Sequence, residues 1–436
     1  MRTELAVRDE VELFERICSP GPTRKYLHCT LAIALCALMM FGPLAFGAVE
    51  HWSQLVLRLG GATVAFAWFA HQAFSESRRI RFAPRIHIPI ALFGLIVCAQ
   101  VLLGHTAYYE QTIQASANWA VYAVVLLCSS TIFSGSKDTQ RLHVALSVFG
   151  FLYALYAVGL HFASPNLLFW SRTPETGGTV FGAYVNRNHY AGLMELLVPL
   201  PLIAALRRDV EYPKRLLFAF FALLMTASIF LSGSRGGMLT VAIQFGVLVL
   251  LWKPIGGRKW GLIAGAVVLV VLVGWLGGMQ VADRLGTLAN AGDRSNMRLL
   301  IVKDSVSMVA EKPLLGWGLG VFPTVYPQFR SFYTDEFVNH AHNDILQILI
   351  ETGVIGLLSF ATLLWGVLRK AVGEFDIWQD DAFSNLSVGA MLGVVGLLVH
   401  SFTDFNLQIP ANALLFFAFC GIASRDRIDK AHGISS

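Results

Sequence analysis

The chain has 436 residues, 55% of them hydrophobic and 14% charged, with a mean hydropathy of +0.60. Soluble domains carry roughly 25% charged residues, so a chain of two or three soluble domains is excluded and one polytopic membrane domain is expected. The net charge of +5 comes mostly from basic residues flanking apolar runs and gives no reason to invoke nucleic acid.

Lipid offers no water to unpaired backbone groups, so only helices or closed barrels can cross it. The apolar runs are about 16–22 residues long and do not alternate, which fits helices and not the ~10-residue strands of a barrel. The fold class expected is therefore an all-α polytopic membrane protein with about 12 transmembrane helices and a long outer loop containing an amphipathic helix. Residues 1–26 form a charged tail. A membrane domain of about nine helices occupies 27–279, with spans near Leu27–Gly47, Ser53–Phe74, Ile86–Gly104, Asn118–Phe133, Leu142–Ala163, His189–Leu206, Arg215–Leu231, Gly237–Trp252 and Gly261–Met279. The long outer loop follows at 280–343, then three spans within 344–424 (Asp344–Leu368, Leu386–Thr403, Pro410–Ser424) and a second tail at 425–436. The first apolar run is too long for a signal h-region and reads as a retained anchor.

Orientation follows from the basic residues. Numbered alternately from the N-terminus, the segments on one side hold 23 of the 33 lysines and arginines and those on the other side hold nine. The positive-inside rule puts both termini in the cytoplasm. The chain is expected to be multi-pass; that its membrane is the bacterial inner membrane, with the long outer loop periplasmic, is what the resemblance given below implies.

Two outer segments are long. Residues 164–188 carry the Gly177-Gly178 pair. Residues 280–343 are far longer than a routine connection, and their apolar, aromatic and Gly-Pro content argues for a folded loop. Within it Asn296–Ala310 reads as a helix lying on the membrane surface, with Asp293 or Ser295 as cap. Glu311-Lys312-Pro313 should end it, since the residue before a proline avoids the helical region. Gly316-Trp317-Gly318-Leu319-Gly320 should then form a tight turn.

Seven of the nine outer basic residues are arginines. A guanidinium is a permanent, planar fork of donors suited to phosphate oxygens. Arg187, Arg235, Arg294 and Arg298 stand out as candidates for binding a pyrophosphate, although each could equally be a snorkelling or solvated loop charge. Arg294 and Arg298 share a helix face if the helix begins by Asp293. Arg235 sits in Ser232-Gly233-Ser234-Arg235-Gly236-Gly237, where glycines let the backbone approach a ligand closely.

The segment Asn339-His340-Ala341-His342-Asn343 closes the long loop. Imidazole titrates near neutrality and can take a proton from a sugar hydroxyl, which makes His340 and His342 candidate bases. The alternative is a hydrogen-bonded interfacial histidine. Few carboxylates accompany them, so no metal is expected. Asp404, four residues after His400, gathers with it polar groups that would be costly against lipid. Helix–helix hydrogen bonding is the competing account.

Three blocks resemble the O-antigen ligase and polymerase superfamily of bacterial envelope glycosyltransferases. The first is Phe181-Gly182 with Asn186-Arg187-Asn188-His189-Tyr190-Ala191. The second is Ser234-Arg235-Gly236. The third runs through Arg298, Asp304, Lys312-Pro313, Gly316-Trp317-Gly318 and His340-Ala341-His342-Asn343. The family's ligases show a His-Asn pair, nine residues, then Gly-x-x-Gly; here His342-Asn343 is followed by Asp344–Thr352 and Gly353-Val354-Ile355-Gly356. The resemblance implies an inverting transferase that needs no metal or other cofactor. Its donor would be a glycan on undecaprenyl pyrophosphate and its acceptor either lipid A–core or a second lipid-linked glycan. It implies that His342 is the base and that Arg235 and Arg298 hold the pyrophosphate; with the residues read above, the candidate catalytic set is His342, His340 and Asn343, and the candidate substrate-binding set is Arg235, Arg298, Arg294, Arg187, Asn188, His189 and Asp404. It does not separate ligase from polymerase, since the segment His400–Pro410 also looks like members of exopolysaccharide systems. A transporter would show repeats and mid-membrane charges; a non-catalytic scaffold is the third class.

Overall fold

The structure is a computed structural model describing residues 22–73, 82–164, 167–168, 179–252, 292–335 and 337–427. The expected span Gly261–Met279, the Gly177-Gly178 pair and most of both tails lie outside the described residues. Among the described residues the chain is all-helical, without strands. The helices are α1 (Pro22–Leu44), α2 (His51–Ala73), α3 (Pro84–Leu102), α4 (Tyr109–Ile132), α5 (Ser136–Ala163), α6 (Arg187–Leu197), α7 (Pro199–Ala205), α8 (Tyr212–Ser232) and α9 (Arg235–Leu251). After them come α10 (Gly292–Glu311), α11 (Phe322–Val325), α12 (Asp344–Val372), α13 (Ala382–His400) and α14 (Pro410–Ser424). Seven of these helices, α1, α3, α4, α5, α8, α12 and α13, are long and apolar enough to cross a membrane. Helices α9 and α14 are apolar but shorter, at 17 and 15 residues.

The centre of the molecule is α14, which is buried at every residue and packs on α4 and α13. A helix apolar on all sides belongs inside a bundle. At 1.5 Å per residue α14 is about 22 Å long, some 8 Å short of a ~30 Å hydrocarbon core. Ahead of it residues 401–409 run as turns and a single 3-10 turn. Irregular backbone is tolerable at such depth where protein surrounds it.

The expected span His189–Leu206 is two helical pieces, α6 and α7, meeting at Val198. The cause is local chemistry. Pro199 and Pro201 bring no N–H to the ladder, and the carbonyl of Glu195, four residues before Pro199, accepts instead from Gln244 Nε2 at 2.8 Å. Helix α4 begins at Tyr109, nine residues before the expected Asn118, because the polar stretch ahead of the apolar run is helical too. Helix α10 likewise starts at Gly292, so Asp293 and Ser295 lie inside it and do not cap it; it ends at Glu311 as expected.

Helix α10 turns Ile301 and Met308 inward onto Val321, Phe322, Val325, Tyr326, Ala341 and Ile350. The buried Asp304 accepts from Tyr326 Oη at 3.2 Å and from Ser331 N at 3.0 Å. Its opposite face leaves Leu299 and Val306 exposed.

The loop after α10 docks into a kink of α12. Gly353 there has φ 68° and ψ −174°, a region that a side chain disfavours. The kink exposes the carbonyls of Ile350 and Glu351, which accept from Trp317 N (2.9 Å) and Gly318 N (3.0 Å), while Val354 N donates to Pro313 O (2.8 Å). Gln100 on α3 closes the joint, donating to Leu315 O and Glu351 O, both at 2.7 Å. The turn glycines Gly316, Gly318 and Gly320 all have positive φ.

A Cβ on Gly353 would lie 2.1 Å from Leu314 O, whereas one on Gly94 of α3 would meet nothing within 4 Å. Gly353→Ala should therefore lower stability by at least the ~1–3 kcal/mol of a strained backbone position. Gly94→Ala should leave it unchanged or raise it by up to ~1 kcal/mol. Thermal unfolding of both variants in one detergent checks this; equal midpoints would refute the docking role of the kink.

Candidate active site

The three sequence blocks, distant along the chain, meet around the irregular segment 401–409. The first arrives on the N-terminus of α6. Asn186 caps that helix by accepting from Asn188 N at 2.9 Å, and this sets Asn188 and His189 toward Asp404. Asn188 Nδ2 donates to Asp404 Oδ2, and His189 Nε2 lies 3.7 Å from Asp404 Oδ1.

The second block is the entry to α9. Ser234 caps it by accepting from Gly237 N at 3.2 Å, after Gly233 turns the chain at φ 69°. Its glycines serve packing. A Cβ on Gly236 would come within 2.5 Å of His400 Nε2 and 3.3 Å of Thr403 Oγ1, and one on Gly237 within 2.8 Å of the Ala191 Cβ. The backbone beside Arg235 is thus pressed onto α6 and α13, and the close approach that these glycines allow is to protein. Arg235 itself, at the first turn of α9, is exposed.

The third block brings Arg298 of α10, whose Nη1 donates to Thr403 O at 3.3 Å. Gly236, the residue after Arg235, and Arg298 therefore both lie against Thr403. The loop 339–343 completes the site. Phe405 stands among three imidazoles, its ring centroid 4.7 Å from that of His189, 4.4 Å from His340 and 5.0 Å from His342.

The three rings are not equivalent. Gln347 Nε2 donates to His340 Nδ1 at 3.2 Å. Gln347 also donates to Glu351 Oε1 (3.0 Å) and accepts from Ala341 N (3.2 Å). His342 sits at φ 52°, a strained value for a residue with a side chain, and its Nδ1 is buried with no hydrogen-bond partner among the described residues. Strain held at one residue by its surroundings is a mark of functional sites.

Charge follows from burial. Burial, with the charges of His189 and His342, lowers His340 to about 3. Burial and the Arg298 guanidinium lower His342 to about 4, against a smaller opposing pull from Asp404. Burial alone would raise the Asp404 carboxyl, but His189, His400 and Arg298 outweigh it and hold the group below the usual carboxylate range. At neutral pH the site presents neutral imidazoles at 340 and 342 beside an ionised Asp404 and a permanent cation.

Of the residues expected from sequence, Asn188, His189, Arg298, His340, His342 and Asp404 come together, with Arg235 adjoining. Arg187 is the first residue of α6, half-buried and engaged. Arg294 shares α10 with Arg298, and the early start of that helix meets the condition for a common face; its side chain lies outside the described set. Asn343 is the cap of α12, with Oδ1 accepting from Leu346 N at 3.0 Å and Nδ2 donating to Phe402 O at 3.2 Å. Its amide is occupied by backbone at both atoms, which suits holding the loop more than chemistry. Sequence reasoning missed Gln347, Glu351 and Phe405. It also missed the buried pair His400 Nδ1···Glu195 Oε1 at 2.8 Å beneath Gly236.

The family model for O-antigen ligase matches residues 220–361. Over that third of the chain the sequence is similar to O-antigen ligases. A protein of Rickettsia bellii (strain RML369-C), provisionally named a polysaccharide ligase, is 30% identical over 183 residues. That alignment covers 39% of this chain and 42% of the relative, so it spans less than half of either. The O-antigen ligase match contains Arg235, Arg298, both loop histidines and Gly353. Asn188, His189 and Asp404 lie outside it and join the site only through the fold.

The depressed histidines make stability depend on pH. An unfolded histidine takes up its proton near 6.5, but His340 and His342 do so only near 3 and 4. The unfolded state therefore binds more protons in between, so stability is full above about pH 6.5 and is lost as pH falls from there toward 4. The unfolding midpoint should drop between pH 7.5 and 5, and the drop should be smaller in His340→Gln. An identical slope in the variant would contradict the burial of a neutral ring.

Proposed function

We propose that this protein transfers a glycan from undecaprenyl pyrophosphate to a sugar hydroxyl of lipid A–core at the periplasmic face of the inner membrane. The anomeric carbon would invert and no metal would take part. The observation that carries the reading is His342, a neutral imidazole with an unpartnered Nδ1, set beside Arg298 in a partly buried site. His342 accepts the proton of the acceptor hydroxyl as its oxygen attacks the anomeric carbon. The bond from that carbon to the phosphate oxygen breaks, and the electron pair leaves with the pyrophosphate.

Arg298, bonded to Thr403 O, and Arg235, exposed at the entry of α9, meet the charge that develops on the leaving group. Donors fixed in advance at a developing charge are often the largest single contribution to catalysis, and two guanidiniums can supply what a cation would otherwise provide. Arg294 and Arg187 are further candidates for binding the same pyrophosphate. Asn188 and His189 hold Asp404, which balances the arginines. The sidedness is supported by the distribution of basic residues along the sequence.

A second reading is polymerisation, with another lipid-linked glycan as acceptor. It uses the same donor, base and clamp, and it is favoured by the character of His400–Pro410, the segment on which the site is built.

Purified protein given an undecaprenyl-pyrophosphate glycan, with or without lipid A–core, separates the two. Product only with lipid A–core marks a ligase, chain growth on the donor alone a polymerase, and no transfer in either arm overturns both. Arg235→Ala and Arg298→Ala should each lower kcat by about 100-fold or more with expression and folding intact. Full activity in both would remove the clamp. A chelator should leave turnover unchanged, and loss restored by added metal would refute the metal-free mechanism.

A further inference from the structure

Gln347 stands one turn inside α12, between the histidine loop and the docked outer loop. Its orientation is determined by its partners. Ala341 N can only donate, so the Gln347 atom facing it must be the carbonyl Oε1 (3.2 Å). The amide nitrogen then faces both His340 Nδ1 (3.2 Å) and Glu351 Oε1 (3.0 Å). Reversing the amide would set N–H against N–H at Ala341 and oxygen against the carboxylate. An amide nitrogen has no acceptor capacity, so His340 Nδ1 must be the acceptor and carry no proton. A neutral ring with a bare Nδ1 holds its proton on Nε2. Glu351 is itself fixed, since its Oε2 accepts from Gly320 N at 2.8 Å. The chain of contacts therefore runs from the glycine turn of the outer loop through Glu351 and Gln347 to the His340 ring.

We propose that Gln347 is a positioning residue that locks His340 as the Nε2–H tautomer, making His340 a hydrogen-bond donor to a substrate oxygen and leaving His342 as the base. The tautomer stands on the geometry alone. The donor role rests on the transferase reading. The arrangement explains two histidines one residue apart: one gives a hydrogen bond while its neighbour takes a proton. It also makes the donor depend on the seating of the outer loop, because Gly320 holds the carboxylate that holds the amide.

The test is nitrogen NMR of the full chain, labelled with ¹⁵N-histidine and held in lipid nanodiscs at pH 7.5. The His340 signals are assigned by their loss in His340→Gln. Wild type should show a single form, with Nδ1 bare and Nε2 protonated. In Gln347→Glu a carboxylate faces Nδ1 and should draw the proton there, exchanging the two signals. If that variant fails to fold beside Glu351, the double variant Gln347→Glu with Glu351→Gln removes the like charge and should show the same exchange. A protonated Nδ1 in wild type, or an unchanged Nε2–H form in the folded variant, overturns the proposal. Turnover then tests the donor role. The amide nitrogen of His340→Gln reaches toward the place of Nε2, whereas that of His340→Asn matches Nδ1, so the Gln variant should keep at least tenfold more kcat. Equal loss in both overturns the donor role. The spectra need no turnover, so a failed transferase assay leaves the tautomer result standing.

Discussion

The site depends on one constraint, that the non-helical backbone of 401–409, exposed only at Phe402 and Thr403, is otherwise buried or half-buried and must find its hydrogen bonds inside the protein. Asp344 meets much of that need. Fully buried at the start of α12, its carboxylate accepts from Ser401 Oγ (2.7 Å), Leu407 N (2.9 Å) and Gln408 Nε2 (3.3 Å). Its own N–H donates to Ser401 O at 2.9 Å. Asn412 adds a second anchor, donating to Asn406 Oδ1 (3.1 Å) and His189 O (2.9 Å). Thr403, Asp404 and Phe405 are presented to the arginines and histidines because the chain on either side of them is tied down.

That anchoring has an electrostatic consequence. A buried segment would favour neutral groups, yet the proposed chemistry needs an anion, a base and fixed cations together. The structure divides these by environment. Asp404 stays ionised because donors and positive charge surround it, while His340 and His342 stay neutral because burial and neighbouring charge both oppose protonation. Phe405 sustains the division by placing an apolar ring against three imidazoles.

Much of this was legible in the sequence. Composition and run length announced a helical membrane protein, and residue type in the long loop and at the ends of apolar runs singled out Arg298, His342 and Asp404 as candidates. What the sequence hid follows a pattern. Pro199 and Pro201 were swallowed by a continuous apolar run, although they divide α6 from α7. Gly236 and Gly237 read as room for a ligand, but they make room for His400 and Ala191. Gln347 and Phe405 carried no signal, because a glutamine inside a helix and a phenylalanine in an apolar segment have no unusual spacing. Their importance lies in contacts across 63 or more positions in the case of Phe405, and in the orientation of a single amide in the case of Gln347.

The Gly-x-x-Gly that follows the histidines at a fixed distance now has a physical reading. Helix α12 runs from its cap at Asn343 to the kink at Gly353, ten residues that cover about 15 Å. Gln347 and Glu351 lie on one face of that stretch, one turn apart, with the histidine loop at one end and the docking carbonyls of Ile350 and Glu351 at the other. One extra residue would rotate everything beyond it by about 100°, swinging Glu351 away from Gln347 and the kink away from Pro313 and Trp317. The spacing fixes an angle as much as a length, and through that angle the seat of the outer loop and the ring of His340 are set by the same helix.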